Sequence, residues 1–196
     1  MRGLLVVDVQ NDFCEGGALG VAGGTKVASG ISDFIAEHGS EYAVIVASRD
    51  WHDADNDNGG HFAPEGEAPN FVTTWPVHCV AGTPGADYHP DFDAAAVTHH
   101  VKKGQGIPSY SMFEGSTDDG KTVAEVLDEH GITSVDVVGI ATDYCVLASS
   151  KDALGVGRDV TVLTDLVAAV SPETGSAALA ELQSLGAHIR DTAADN

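Results

Sequence analysis

The chain has 196 residues, enough for one domain with a substantial core, and nine Lys and Arg against thirty Asp and Glu give it a net charge of −21. That charge repels nucleic acid and anionic membranes, no segment is long and apolar enough to span a bilayer, and the opening apolar run lacks a cleavage-site pattern. Three dispersed cysteines, Cys14, Cys79 and Cys145, cannot build a disulfide framework, so a cytoplasmic, reducing setting is expected.

Leu4 to Val9 reads as a first strand, with Asp8 near its carboxyl end. Thr25 to Glu37 repeats apolar residues at helical spacing (Val27, Ile31, Phe34, Ile35) and stops at Gly39. Ala43 to Ser48 is a second strand. Arg49 to Pro90 follows, rich in Gly, Pro, Asp, Asn and His and without periodicity. Long aperiodic stretches in compact domains are usually functional or disordered, and Trp51, Phe71 and Trp75 argue for an ordered insertion that builds a site.

Thr98 to Val101 is a third strand, followed by Lys103; Thr122 to His130 is a helix ending at Gly131. Ser134 to Gly139 is a fourth strand. A helix then begins near Tyr144 and carries Val146, Leu147 and Leu154 toward Gly155. Asp159 to Leu163 is a fifth strand. Ser171-Pro172-Glu173 opens a last helix with a cap, a first-turn proline and an acid that complements the dipole, running to about Leu185. Ala187 to Arg190 is a candidate sixth strand. This alternation predicts one α/β domain over residues 1–196: three α/β/α layers around a mainly parallel sheet of about six strands, helices on both faces, and a metal-binding loop insertion at about 49–90.

Strand ends carry the chemistry in such folds, because they converge on one crevice. Cys145 stands after a strand where a helix starts, and unpaired N–H groups there favour thiolate and can hold an oxyanion. Asp8 and Lys103 stand at two other strand ends, so acid, amine and thiol can meet. Each residue also has a plainer reading: packing for Cys145, a turn for Asp8, a snorkelling surface amine for Lys103.

In the insertion, Asp50 and His52 are two apart and project to one side, while His61 and His78 reach in from the loop. Imidazoles with one carboxylate suit one divalent ion such as zinc, iron or manganese. Asp53, Asp55, Asp57 and Cys79 compete as ligands, and solvated loop histidines are the alternative.

Five motifs now stand in order: Asp8-Val9-Gln10-Asn11-Asp12-Phe13, Arg49-Asp50-Trp51-His52, Trp75-Pro76-Val77-His78-Cys79, Lys103-Gly104, and Gly139-Ile140-Ala141-Thr142-Asp143-Tyr144-Cys145-Val146. Together, over nearly the whole chain, they resemble the nicotinamidases among the isochorismatase-like hydrolases. The resemblance implies a Cys145, Asp8 and Lys103 triad and a metal bound by Asp50, His52, His61 and His78. It further implies a cis peptide between Ile140 and Ala141, an oxyanion hole from the Ala141 and Cys145 amides, and substrate contacts at Phe13, Trp75, Tyr110, Ile140 and Ala141.

The implied reaction is metal-dependent hydrolysis of nicotinamide, and of pyrazinamide, through a cysteine thioester, with a place in NAD salvage. The implied protein is a monomer or small homo-oligomer with no nucleic-acid or membrane partner. Two departures stand out: Asp53 to Gly60 is longer than usual between ligands, and Lys102 neighbours Lys103. The rival readings are an isochorismatase-like hydrolase acting on an N-carbamoyl amine or isochorismate-type substrate, and a noncatalytic metal-binding protein on the same fold.

Overall fold

The structure, a computed structural model, describes residues 1–195. One seven-stranded sheet runs through it: β1 (Arg2–Val7), β2 (Val44–Asp50), β3 (His99–Lys103), β4 (Ser116–Thr117), β5 (Ser134–Ile140), β6 (Asp159–Ala168) and β7 (His188–Arg190). Their order is β4-β3-β2-β1-β5-β6-β7, and every pair is parallel except β3 with β4. The helices are α1 (Gly24–His38), α2 (Val123–Glu129), α3 (Leu147–Gly155) and α4 (Pro172–Ser184).

Alternate residues of β1 face opposite layers, as the pleat requires. Leu4 and Val6 pack with Val27, Ala28 and Ile31 of α1 on one face. Leu5 and Val7 join Val126 and Leu127 of α2, Ala153 of α3 and Leu182 of α4 on the other. The strands are buried on both sides and therefore read as continuous apolar runs.

The chain builds β1, β2 and β3 outward to one side, then returns to place β5 on the other side of β1. That reversal is the switch point where a crevice opens at strand carboxyl ends. β1 and β5 approach closely at Gly139, where an added Cβ would lie 2.1 Å from the Val7 carbonyl oxygen and φ is +116°. Only glycine fits there.

The sheet has one strand more than expected. β4 is two residues long and antiparallel at the edge, too short to carry a periodic signal. The first strand stops at Val7 because Asp8 turns to φ +47°. β6 continues past Leu163 to Ala168 through the polar pair Thr164-Asp165. The segment after β5 is a π-helical turn, Thr142–Val146, that leads into α3, rather than a helix opening at Tyr144. The caps agree: Ser171 accepts from the Thr174 amide, and Thr122 forms a capping box with Glu125.

Candidate active site

Four strand ends deliver four reactive side chains to one buried point. Asp8 follows β1, Asp50 ends β2, Lys103 ends β3 and Cys145 lies in the turn after β5. Lys103 Nζ sits 2.9 Å from Asp8 Oδ2 and 3.7 Å from Cys145 Sγ, and it also pairs with Asp50 Oδ1. Ser48 Oγ donates to Asp8 Oδ1 at 2.7 Å. Lys103 is almost fully buried, so the snorkelling alternative does not apply.

Burial sets the charge states. It pushes the Asp8 carboxyl up, against the pull of Lys103. It also pushes the Cys145 thiol well above its ordinary value, with Asp8 and Asp50 adding to the effect against Lys103. Desolvation thus works against the backbone dipoles that favour thiolate, which is consistent with a thiol that gives its proton to a neighbouring base. For Lys103 burial works downward, but Asp50 and Asp8 more than reverse it and hold the ammonium well above the ordinary amine range. Asp50 feels burial upward, yet the Lys103 ammonium beside it keeps it well below the carboxylate range.

Beside this cluster, His52, His61 and His78 each present a ring nitrogen within 4.8 Å of the others. Asp50 Oδ2 lies 3.5 Å from His52 Nε2 and 3.7 Å from His78 Nε2. A carbonyl only accepts, so the contacts of His52 Nδ1 with Gly104 O (2.8 Å) and of His78 Nδ1 with Pro76 O (2.7 Å) place the proton on Nδ1 in both rings. Both Nε2 lone pairs then face inward. Burial lowers His61 to about 4, helped by the neighbouring imidazoles, so that ring is neutral at ordinary pH.

His52 Nε2 and His61 Nδ1 are buried without a hydrogen-bond partner. Orphaned imidazole nitrogens around one carboxylate fit a borderline divalent cation. The longer loop does bring His61 into the cluster. Of the competitors, Asp55 and Asp57 are exposed, Asp53 Oδ2 accepts from Asn56, and the Cys79 thiol faces the Gly85 carbonyl at 3.9 Å.

A cavity of about 390 Å³ opens over both groups, lined by Phe13, Trp75, Tyr110, Ala141 and Cys145 and floored by Asp50, His61 and His78. The Ile140-Ala141 peptide is cis. Ile140 itself packs fully buried in the core and does not line the cavity, because its side chain points into the α1 layer. Trp75 Nε1 donates to Tyr110 Oη at 3.0 Å, which holds both rings.

Sequence reasoning missed several contributors. Tyr144 stands edge-on to Trp75 (centroids 5.1 Å) and near-parallel to Tyr110 (6.2 Å); its place directly before Cys145 was the available signal. Leu19, Val21 and Val170 close the wall from loops with no distinguishing pattern. Ser48 on Asp8 and Asp12, whose Oδ2 accepts from the Cys79 amide at 2.7 Å just after His78, act behind the lining.

The isochorismatase domain family matches residues 2–194. The chain is 45% identical to the nicotinamidase/pyrazinamidase of Mycobacterium tuberculosis over 189 residues, covering 96% of this chain and 98% of that protein. Among solved structures, the pyrazinamidase of Pyrococcus horikoshii in complex with zinc is 38% identical with a TM-score of 0.81, covering 97% and 98% of the two chains. A protein from L. infantum in complex with nicotinate is 33% identical, also at TM-score 0.81, covering 99% and 94%. By sequence and by fold, the chain belongs to the isochorismatase family.

Proposed function

We propose that this protein hydrolyses nicotinamide to nicotinic acid and ammonia, and accepts pyrazinamide. One observation carries the reading: a buried ammonium, Lys103, holds the Asp8 carboxylate and the Cys145 sulfur within 3.7 Å beside a three-histidine, one-aspartate cluster. Relatives named for this activity, and a structural neighbour holding nicotinate, support the same substrate class.

An amide is a weak electrophile and ammonia a poor leaving group, so a strong nucleophile, a proton carrier and an oxyanion site are all needed. Asp8 takes the Cys145 proton as sulfur attacks the carboxamide carbon, and the carbonyl oxygen becomes an oxyanion facing the Ala141 and Cys145 amides. Collapse breaks the carbon–nitrogen bond while Asp8 returns the proton to nitrogen, leaving a thioester and ammonia. Asp8 then activates water, the acid departs and the thiol is restored. A carboxyl pushed upward by burial suits this two-way traffic, and Lys103 keeps it oriented.

Asp50, His52, His61 and His78 would hold a divalent ion, zinc, iron or manganese, which would supply a Lewis acid for the pyridine nitrogen. Phe13, Trp75 and Tyr110 flank the ring. A role in NAD salvage follows from the reaction. A cytoplasmic protein without nucleic-acid or membrane partners, monomeric or a small homo-oligomer, completes the reading; net charge −21 disfavours polyanionic partners and three free cysteines suit a reducing setting.

The test is ammonia release from nicotinamide with and without a chelator. Activity that disappears on chelation and returns with added zinc, iron or manganese is expected. No release from nicotinamide under any metal condition would overturn the substrate assignment.

A further inference from the structure

The end of β2 lacks a neighbour on one side. β1 and β2 pair only as far as Val6 with Ala47, because β1 ends at Val7 and the chain leaves the sheet at Asp8. On its other side β2 stays paired with β3 up to Asp50 with Lys103. Asp50 therefore presents its backbone N–H and C=O to a slot that the first strand has vacated. Both groups are buried, and leaving them unmet would cost as much as a lost hydrogen bond.

The side chain of Gln10 fills that slot. It is fully buried. Its Oε1 accepts from the Asp50 amide at 2.8 Å, and its Nε2 donates to the Asp50 carbonyl at 2.9 Å and to the Ala86 carbonyl at 2.9 Å. A primary carboxamide carries the same donor and acceptor pair as a peptide unit, so Gln10 stands in for the missing strand residue. Its own amide donates to the Asp8 carbonyl at 2.8 Å, tying the clasp to the proton carrier.

The residue so held is the one both halves of the site share. Asp50 Oδ1 pairs with Lys103, while Oδ2 faces His52 and His78. A small rotation of the Asp50 backbone would move the carboxylate away from both. We propose that Gln10 is a positioning residue: by acting as a surrogate strand it fixes the Asp50 carboxylate between the triad lysine and the metal ligands. The inference rests on the metal-site reading above and adds a residue that touches neither metal nor substrate.

The clasp demands a donor and an acceptor in one plane, which glutamine supplies and its closest substitutes do not. Gln10→Glu keeps the shape and loses the donor; Gln10→Met keeps the approximate length and loses both. Zinc affinity of the full-length chain, stripped of metal and titrated against a chromogenic chelator, should weaken roughly 10–100-fold in each, the range seen when partners behind metal ligands are removed. Asn11→Ala is the control. Asn11 Nδ2 donates to the Pro84 carbonyl at 2.8 Å, so this variant loosens the same loop junction without touching Asp50, and its zinc affinity should match the wild type.

A variant too unstable to titrate is read by the zinc-induced rise in its melting temperature, which should be smaller than in the wild type. Gln10→Glu and Gln10→Met proteins that hold zinc as tightly as the wild type, or an Asn11→Ala protein that loses affinity equally, overturn the inference while leaving nicotinamide hydrolysis untouched. A wild-type chain that takes up no zinc overturns the metal-site reading and this inference together.

Discussion

His52 donates from Nδ1 to the carbonyl of Gly104 at 2.8 Å, and Gly104 is the residue directly after Lys103. One backbone step thus links a ring of the histidine cluster to the buried Lys103 ammonium. Gly104 lies at φ +78°, and a Cβ there would come within 2.6 Å of His52 Cε1.

Gly104→Ala is therefore expected to push the imidazole out of the cluster. The left-handed backbone alone costs roughly 1–2 kcal/mol for a non-glycine residue. Loss of ring orientation should weaken zinc roughly 10–100-fold. Chelator competition measures the second effect and thermal unfolding of the metal-free protein the first; an alanine variant with wild-type zinc affinity would show that the ring is held by other means.

Replacing the nucleophile should separate chemistry from metal binding. Cys145→Ala is expected to lower turnover by at least about 10³-fold while the metal content by elemental analysis stays unchanged. Asp8→Asn should be nearly as inactive, because the buried thiol keeps its proton without a base. Appreciable turnover in the alanine variant would hand the attack to another group.

The loop that carries Leu19 and Val21 into the cavity is tied to α1 by an acid. Glu15 accepts from the Gly23 amide (2.6 Å), the Thr25 amide (2.8 Å) and the Thr25 hydroxyl (2.7 Å), capping a helix whose own N-cap is glycine. These bonds, Thr25 first, lower its carboxyl from 4.5 to about 2. A depressed folded-state value contributes stability above the unfolded value and loses it as pH falls through the folded one. The stability difference between wild type and Glu15→Gln should thus be full above about pH 4.5 and vanish toward pH 2, as denaturant titrations across that window would show. A pH-independent difference would mean the bonds do not select the charged form.

Net charge −21 makes the folded chain repel itself. Screening shortens from about 10 Å at 0.1 M salt to about 3 Å at 1 M. The melting temperature should rise over that range by at least about 2–4 °C, the shift that 1 kcal/mol makes in a chain of this size. A flat or falling melting temperature in sodium chloride would leave the acidic surface as a solubility feature alone.

Much of this was legible in the sequence. Apolar runs alternating with helical spacing specify a parallel sheet, because strands covered on both faces admit few polar residues and their connections need helices. Strand-end positions then selected Asp8, Lys103 and Cys145, and the histidines of the insertion stood out as residue types. His61 was harder to place, since the Asp53 to Gly60 loop has no period. In the structure, the buried Asn58 staples it: Asn58 Oδ1 accepts from the Asp53 amide at 2.8 Å and the Gly106 amide at 3.1 Å.

The rest depended on contacts between distant segments. Tyr144 against Trp75, Gln10 on Asp50 and Ser48 on Asp8 have no local signature, because each is a meeting of residues at least forty positions apart in the chain or of loops whose path follows no repeat. The charge states were also decided there. Local sequence showed only the backbone dipoles that favour thiolate at Cys145; burial, with Asp8 and Asp50, pushes the thiol the other way. Periodicity and residue type are properties of the chain and are written in order along it, whereas desolvation and electrostatic coupling depend on what folding packs around a group.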